Sequence, residues 1–399
     1  MHLSGIAPRS CRERRPRIGG QRLSRRNCGG HREDGVLGAN ALGQRRRYRA
    51  AGGHKVRRWT NVSESHGTPR ACPLYGIPPS RLRRIVTPSV RPPQNGIDAR
   101  PMHRITPLLG AHPYIRLFRG KTFVIKVSGS ILADAGARAT IAEDVALLHH
   151  VGIRVALVHG GGPQLDALCT QMDVPREVVA GRRVTDARTL DLARMVFRGA
   201  LNSELVGALA AQGVRAVGLS GGDGGSVVGH RRPPRTMRDP STGVETTVDF
   251  GFVGDIDSVD VALPRMLLDA GMVPVYCSLI GDGAGGLLNT NADTIGARVA
   301  MALGAEKLLL CTSVPGLLED PADARRLVSY GDLGTVDELI RQGAVSGGML
   351  PKLAAVGDAL RGGVPRVHII DGTRPHALLL EVFTNEGCGT MLVTRREDG

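Results

Sequence analysis

Residues 121–163 read KTFVIKVSGSILADAGARATIAEDVALLHHVGIRVALVHGGGP, and this stretch decides the fold. Thr122 to Val127 is a short apolar run with the length and composition of a strand. Ile141, Val145 and Leu148 then fall at i, i+4 and i+7, which places them on one face of a helix. Val155 to Val158 is a second strand, and it runs straight into His159, Gly160, Gly161, Gly162 and Pro163, after which another helix starts. Strand, helix and strand in that order are the repeat unit of an α/β domain with a largely parallel sheet.

The same alternation continues outward from this unit. A long helix is expected over roughly Asp186 to Gly213, following Gly181, Arg182 and Arg183, with Asp186 as its N-cap. Further strands are expected at Ala216 to Leu219, Val273 to Ser278, Lys307 to Thr312 and Arg366 to Ile370, and helices near Asn291 to Leu303 and Met349 to Arg361. Between Ser226 and Asp255 the helical spacing disappears, and β-rich polar sequence suggests hairpins forming a lid or rim. The expected architecture is one continuous, mainly parallel sheet carrying two lobes of one domain, with a site at the carboxyl ends of its strands.

The 399 residues carry 52 Lys plus Arg against 37 Asp plus Glu, but the net charge of +15 is confined to one end. Residues 1–101 hold 22 basic and 5 acidic side chains, while the remainder is nearly balanced. That first quarter, rich in Arg, Gly and Pro, shows no sustained apolar period. It cannot bury enough apolar surface to offset chain entropy and reads as a disordered extension. A true start at Met102, with the upstream stretch never translated, leads the accounts of it. A nucleic-acid-binding tail lacks interleaved aromatics, and an organelle transit segment would be richer in serine. No apolar run suits a signal peptide or a membrane span. The seven cysteines, Cys11, Cys28, Cys72, Cys169, Cys277, Cys311 and Cys388, form no C-x-x-C pair, which argues against a zinc site or a disulfide framework and fits a reducing cytoplasm.

No G-x-x-x-x-G-K-[ST] loop occurs, so phosphate handling has to come from several separated loops. Lys126 ends the first strand beside Ser128, Gly129 and Ser130, where a lysine can reach phosphate oxygens while small residues let backbone N–H groups approach; a solvated edge charge is the bland alternative. The HGGGP turn removes every Cβ between a strand and a helix N-terminus, a natural anion site. Gly218 to Gly225, GLSGGDGG, lacks the dinucleotide spacing and suits a structural or rim role. Asn289, Asn291 and Asp293 alternate before a helix, a spacing that can aim them into one cleft while Asn291 caps. Lys352 lies in a first helical turn, against the dipole preference, which points to function or to a flexible surface lysine.

Taken in order, the blocks IRLFRGKTFVIK, VHGGGP, GRRVTD, DFGFVGD, LLNTNADTIGA, GAEKLLL, SGGMLPK, VHIIDGTRPHALLLEVFTNEG and GTML resemble the amino acid kinase family, most closely its members that phosphorylate N-acetyl-L-glutamate in arginine biosynthesis. The resemblance runs through almost all of residues 105–393. It implies a three-layer sandwich, an N-lobe over about 121–260 that binds the acid and a C-lobe over about 261–399 that binds ATP. It implies transfer of the ATP γ-phosphoryl group to the side-chain carboxylate. That acceptor is already ionised at neutral pH, so positioning and charge cancellation rather than a general base are needed. By the same resemblance Lys126 and Lys352 stabilise the transferring group and Asp293 orients both. The amides of Gly129, Gly161 and Gly162 hold phosphoryl oxygens, Gly161 and Gly162 also bounding the acid site. Arg183 clamps the substrate α-carboxylate and Asn289 completes that site. Mg2+ bridges the β- and γ-phosphates through nucleotide oxygens and water, without a protein metal cage. Tyr114, Phe118 and Lys121, in an N-terminal helix over 102–120, and His368, Glu381 and Gly387 match arginine-inhibited hexamers, implying a trimer of dimers under feedback by L-arginine.

Three positions depart from the family pattern. Ser128 replaces a glycine, which is tolerable unless the turn needs φ > 0. Gly222 replaces a common lysine, and Ser313 replaces an aspartate on the adenine side and bears on nucleotide affinity. Rival readings are a kinase for an aminoadipate derivative of lysine synthesis, since one methylene gives only about 1–3 kcal/mol of discrimination, and a non-catalytic arginine sensor or nucleic-acid-binding regulator using the basic tail. The Val184-Thr185-Asp186 run favours the acetylglutamate reading.

Overall fold

A computed structural model describes residues 100–179, 182–238, 245–320, 322–323, 325–345 and 347–395. The expectations placed on residues 1–99 and on Gly181 lie outside the described residues. The chain enters with α1 (Arg100–Phe118), followed by β1 (Thr122–Val127), α2 (Gly129–Leu132), α3 (Ala135–His150), β2 (Arg154–His159) and α4 (Gly162–Gln171). A short hairpin, β3 (Val178–Val179) and β4 (Arg182–Arg183), precedes α5 (Ala187–Ala193), a π-helical segment (Arg194–Leu201) and α6 (Asn202–Ala211). Next come β5 (Ala216–Leu219), β6 (Val227–Arg231), β7 (Arg235–Arg238), β8 (Glu245–Val248), β9 (Gly254–Val259) and α7 (Ala262–Asp269). The last third holds β10 (Val273–Cys277), β11 (Leu279–Gly281), β12 (Leu287–Asn289), α8 (Ala292–Leu303), β13 (Lys307–Thr312), β14 (Tyr330–Asp332), α9 (Leu333–Arg341), α10 (Met349–Arg361), β15 (Arg366–Asp371), α11 (Ala377–Phe383) and β16 (Thr390–Val393).

Eight strands form the main sheet in the order β14-β16-β15-β13-β1-β2-β10-β5, and every pair in it is parallel except β15 with β16. The period-2 alternation of a strand explains the layers. On β1, Phe123, Ile125 and Val127 join a core with Ile141, Val145 and Leu148 of α3 and Leu205 of α6. Val124 faces the other way, into a core with Ile295 of α8 and Val356 of α10. Helices therefore cover both faces, giving a three-layer α/β sandwich. Lys126 has the parity of Val124, so its side chain leaves the sheet on the α8 side, with its Cβ 3.5 Å from the place a Cβ on Gly296 would occupy.

The single continuous sheet expected from the sequence needs a correction. A separate four-stranded sheet, β12-β11-β6-β9, carries the rim, and β7 pairs with β8 as the predicted hairpin. In the main sheet β10, from beyond residue 260, lies between β2 and β5. The long helix runs over 187–211 as expected from Asp186, whose side chain accepts from the Thr189 N–H, but its middle eight residues are π-helical.

Candidate active site

The carboxyl ends of β1, β2, β10 and β12 surround a cleft of ≈ 470 Å³ lined by Lys126, Gly129, Gly161, Gly162, Arg183 and Asn289 among others. With Gly160 and Asn291, eight of the residues singled out in the sequence thus share one cavity. Asp293 and Lys352 stand immediately behind Lys126. Lys126 Nζ lies 2.7 Å from Asp293 Oδ1, and Lys352 Nζ donates to Asp293 Oδ2 at 2.9 Å. The Lys126 contact is an ion pair that is close but not aligned as a hydrogen bond. All three side chains are buried. Burial pushes the Asp293 carboxyl up, but the charges of Lys126 and Lys352, with the Lys352 hydrogen bond, outweigh it and hold the group down to about 2. Burial pushes the Lys352 ammonium below the ordinary lysine value, opposed by Asp293. The carboxylate is placed by helix capping: Asn291 Oδ1 accepts from the Asp293 N–H, fixing Asp293 in the first turn of α8.

Two helix N-termini reach the cleft without side-chain caps, that of α4 at Gly161 and that of α10 at Gly348. Gly162, of α4, and Pro351, of α10, line its wall. Unsatisfied N–H groups and the positive dipole end favour an anion there. The glycines do not all serve ligand approach, which corrects the reading of HGGGP. A Cβ on Gly129 would come 2.8 Å from Gly161 Cα, and one on Gly161 would come 2.5 Å from Leu201 and 2.7 Å from Phe197. Only Gly162 would meet nothing within 4 Å. Two of the glycines are thus required for packing of turn against turn and against the π segment. Ser128 has φ −74, so no left-handed conformation is demanded where the family glycine is replaced. Gly222 sits against Leu287, whose Cδ2 a Cβ would approach to 2.7 Å, and Ser313 is exposed just past β13.

Beside α4, Arg183 of β4 donates to Asp166 Oδ1 of that helix, and burial pushes its guanidinium below the ordinary value. Asp166 also pairs with Arg176 at 3.1 Å. Asn289 Nδ2 donates to Thr185 Oγ1 at 3.0 Å, tying β12 to the segment that carries Arg183. Sequence reasoning missed Arg232, which lines the cleft and forks onto both oxygens of Asp255 at 2.6 to 3.1 Å. Its signal was the arginine pair Arg231-Arg232 lying opposite the DFGFVGD block. It missed Asp166 as well, whose one cue was its place a turn into the helix after HGGGP.

His368, Glu381 and Gly387 form a cluster apart from this cleft. His368 Nδ1–H donates to Glu381 Oε1 at 2.6 Å, Lys307 Nζ donates to His368 Nε2 at 2.9 Å, and the ammonium lies 5.1 Å from the Phe118 ring centroid of α1. Glu381 Oε2 accepts from the Cys388 and Gly389 N–H groups, and Gly387 turns with φ +61 beside that carboxylate. Burial pushes Lys307 down to about 8 and the His368 imidazole below its ordinary value. Tyr114 OH of α1 donates to Asn385 Oδ1.

The acetylglutamate kinase of Myxococcus xanthus (strain DK1622) is 47% identical over 283 residues, 71% of this chain and 92% of that protein. The acetylglutamate kinase of Symbiobacterium thermophilum is 46% identical over 298 residues, 74% of this chain and 100% of that protein. Among solved structures, N-acetylglutamate synthase from Neisseria gonorrhoeae complexed with coenzyme A and N-acetyl-glutamate superposes with a TM-score of 0.61 at 29% identity, covering 73% of this chain and 64% of the synthase. Residues 121–371 match the sequence model of the amino acid kinase family, and the chain belongs to that family.

Proposed function

We propose that the chain is an ATP-dependent kinase for the side-chain carboxylate of N-acetyl-L-glutamate, giving the acyl phosphate and ADP. The observation that carries this is the Lys126-Asp293-Lys352 bridge beside glycine turns, with Arg183 lining the same cleft. The relatives' shared name gives the substrate. A carboxylate nucleophile needs no base, so the work left to the protein is in-line placement and neutralisation of spreading negative charge. Lys126 and Lys352 supply the cations, and Asp293 keeps both aimed. The amides of Gly129, Gly161 and Gly162 receive phosphoryl oxygens, and Arg183 exchanges its Asp166 partner for the substrate α-carboxylate, with Asn289 beside it. Among the described residues no three His, Cys, Asp or Glu side chains converge as metal ligands, and Asp293 is already engaged. As the family resemblance implies, Mg2+ would ride on nucleotide oxygens and water, where it would neutralise phosphate charge.

Residues 121–260 and 261–399 would divide acid and ATP binding, with β10 crossing between them. Feedback by L-arginine at His368, Glu381 and Gly387 and a hexamer joined through α1 belong to the same proposal. Leu109 and Leu117 of α1 are 64% and 61% exposed, apolar surface that a neighbouring subunit would cover. The Neisseria synthase structure complexed with L-arginine, 27% identical with a TM-score of 0.59 and 65% of its length covered, supports a related site. No helix among the described residues is long and apolar enough to cross a membrane, and a cytoplasmic setting suits the free thiols of Cys169, Cys277 and Cys311. The test is hydroxylamine trapping of the acyl phosphate from the full chain, with N-acetylglutamate and N-acetylaminoadipate in parallel, with and without L-arginine. Light scattering gives the assembly state. Hydroxamate from neither acid by a folded, ATP-binding protein would sink the assignment.

A further inference from the structure

We infer that His159 is a positioning residue for the glycine turn at 160–162: a neutral imidazole protonated at Nδ1 grips the Gly160 carbonyl and thereby aims the Gly161 N–H, and Asn202 fixes the tautomer. This rests on the reading that the Gly161 and Gly162 amides receive phosphoryl oxygens.

His159 closes β2 and is fully buried, as is Asn202 at the start of α6. Asn202 Nδ2 lies 2.9 Å from Val275 O and 3.0 Å from His159 Nε2, while His159 Nδ1 lies 3.0 Å from Gly160 O. Hydrogen-bond chemistry assigns every proton in this chain. A backbone carbonyl only accepts, so the Asn202 atom facing Val275 O is the amide nitrogen. Its second hydrogen faces Nε2, which must therefore accept. The ring's one proton is then on Nδ1, where it meets another obligate acceptor, Gly160 O. Burial pushes the imidazole down to about 4, so the ring stays neutral across the working range of pH.

The grip matters because a trans peptide is rigid and planar, with C=O and N–H on opposite edges. Holding Gly160 O toward the ring sends the Gly161 N–H the other way. Three successive glycines have no Cβ to restrict how those peptides turn, so the direction has to be imposed from outside. The surroundings are built for this contact. A Cβ on Gly218 of β5 would overlap Asn202 Oδ1, so that glycine, in a motif the phosphoryl chemistry does not use, admits Asn202 to its seat. The π segment ends at the residue before Asn202 and sets Phe197 and Leu201 against Gly161. π-helical turns recur where a helix has to present side chains off its regular spacing.

Two substitutions separate a grip on the turn from mere filling of the core. His159→Asn keeps an N–H donor near the Nδ1 position but leaves the larger hole. His159→Gln fills more of the space and reaches Asn202 but cannot hold Gly160 O. The inference expects the Gln variant to lose roughly 10- to 100-fold in kcat with KM for the acid within about twofold, and the Asn variant to keep most of its kcat though it melts lower. A space-filling role predicts the opposite ranking, and that ranking, or equal losses, would overturn the inference. If the Gln variant does not fold, Asn202→Leu replaces it, with roughly tenfold lower kcat and unchanged acid KM expected. Independently of turnover, 15N NMR of the wild-type imidazole should show a neutral Nδ1-protonated ring; an Nε2-protonated or charged ring overturns the inference whatever the substrate. A wild type inactive on both acids would fail the functional reading instead, and the NMR arm would still decide the grip on Gly160.

Discussion

Asp293→Asn removes one negative charge from between two buried ammonium groups while keeping the side chain's shape. The carboxyl sits at about 2 against an ordinary 3.8. At about 1.4 kcal/mol per pKa unit the charge contributes about 2.5 kcal/mol at neutral pH. Orphaning buried partner charges raises the cost toward about 5 kcal/mol. For a domain of this size each kcal/mol moves Tm by about 2–4 °C, so the variant should melt about 5–20 °C below wild type near neutrality. The pH dependence carries the sign. With the carboxylate gone the two ammonium groups repel, and Lys352, already pushed down by burial, falls further below its unfolded value. A lysine depressed in the fold destabilises fully below its folded pKa, and the penalty fades as pH rises toward the unfolded value. The gap between variant and wild type should therefore narrow as pH rises from neutrality toward the ordinary lysine range. At the acid end, Asp293 in wild type contributes fully above its unfolded value and loses that contribution as pH falls through about 2. Scanning calorimetry across this range measures both. A variant that melts with wild type near pH 7, or a gap that stays constant with pH, would refute the picture of two cations leaning on one carboxylate.

Other outcomes follow from the same geometry. Lys126→Met and Lys352→Met should each lower kcat by roughly 10²- to 10³-fold while ATP binding by titration calorimetry persists. Arg183→Ala should raise KM for the acid roughly 10- to 150-fold, the worth of a charge-assisted contact of about 1.5–3 kcal/mol, with kcat nearly unchanged; a loss in kcat alone would place Arg183 elsewhere. Glu381→Gln should abolish any response to L-arginine and leave basal turnover intact, read from inhibition curves. His376 donates to the buried Asp144 at 2.7 Å, and burial already pushes that carboxyl up. His376→Ala should raise it further, and a carboxyl raised in the fold binds more protons folded than unfolded. The variant should therefore be weaker at pH 7 than at pH 5, by about 1–3 kcal/mol, in urea melts.

What could be read from the sequence was whatever local pattern decides by itself. The apolar run Thr122–Val127, the caps Asp186 and Asn291 and the helix over 349–361 are set by nearest neighbours, and they stand where expected. β14 and β16 have three and four residues, too few for an alternation to register, and they depend on pairing with each other and with β15. The π segment was invisible because RMVFRGAL carries the same apolar residues whether its bonds span four residues or five. In the site, strand ends and helix starts marked Lys126, Asp293 and Lys352 one by one as candidates, and only the family resemblance joined them. Asp166 facing Arg183, Asp255 facing Arg232 and Asn202 facing His159 are 17, 23 and 43 residues apart in the chain. Those pairs exist only after the layers have closed, and no local pattern encodes them.

The position of β1 in the main sheet sets how this molecule would age. Three strands lie beyond β13 on one side of it and two beyond β2 on the other, so the backbone amides around Lys126 should exchange with deuterated solvent only when the whole domain opens. Arg183 stands on a two-residue strand, held by a two-residue ladder outside the main sheet that can open alone. Mild heating would thus loosen the grip on the acid before it disturbs the lysines. A partly damaged preparation would pass for intact when assayed at saturating acid, and would betray itself only at low substrate.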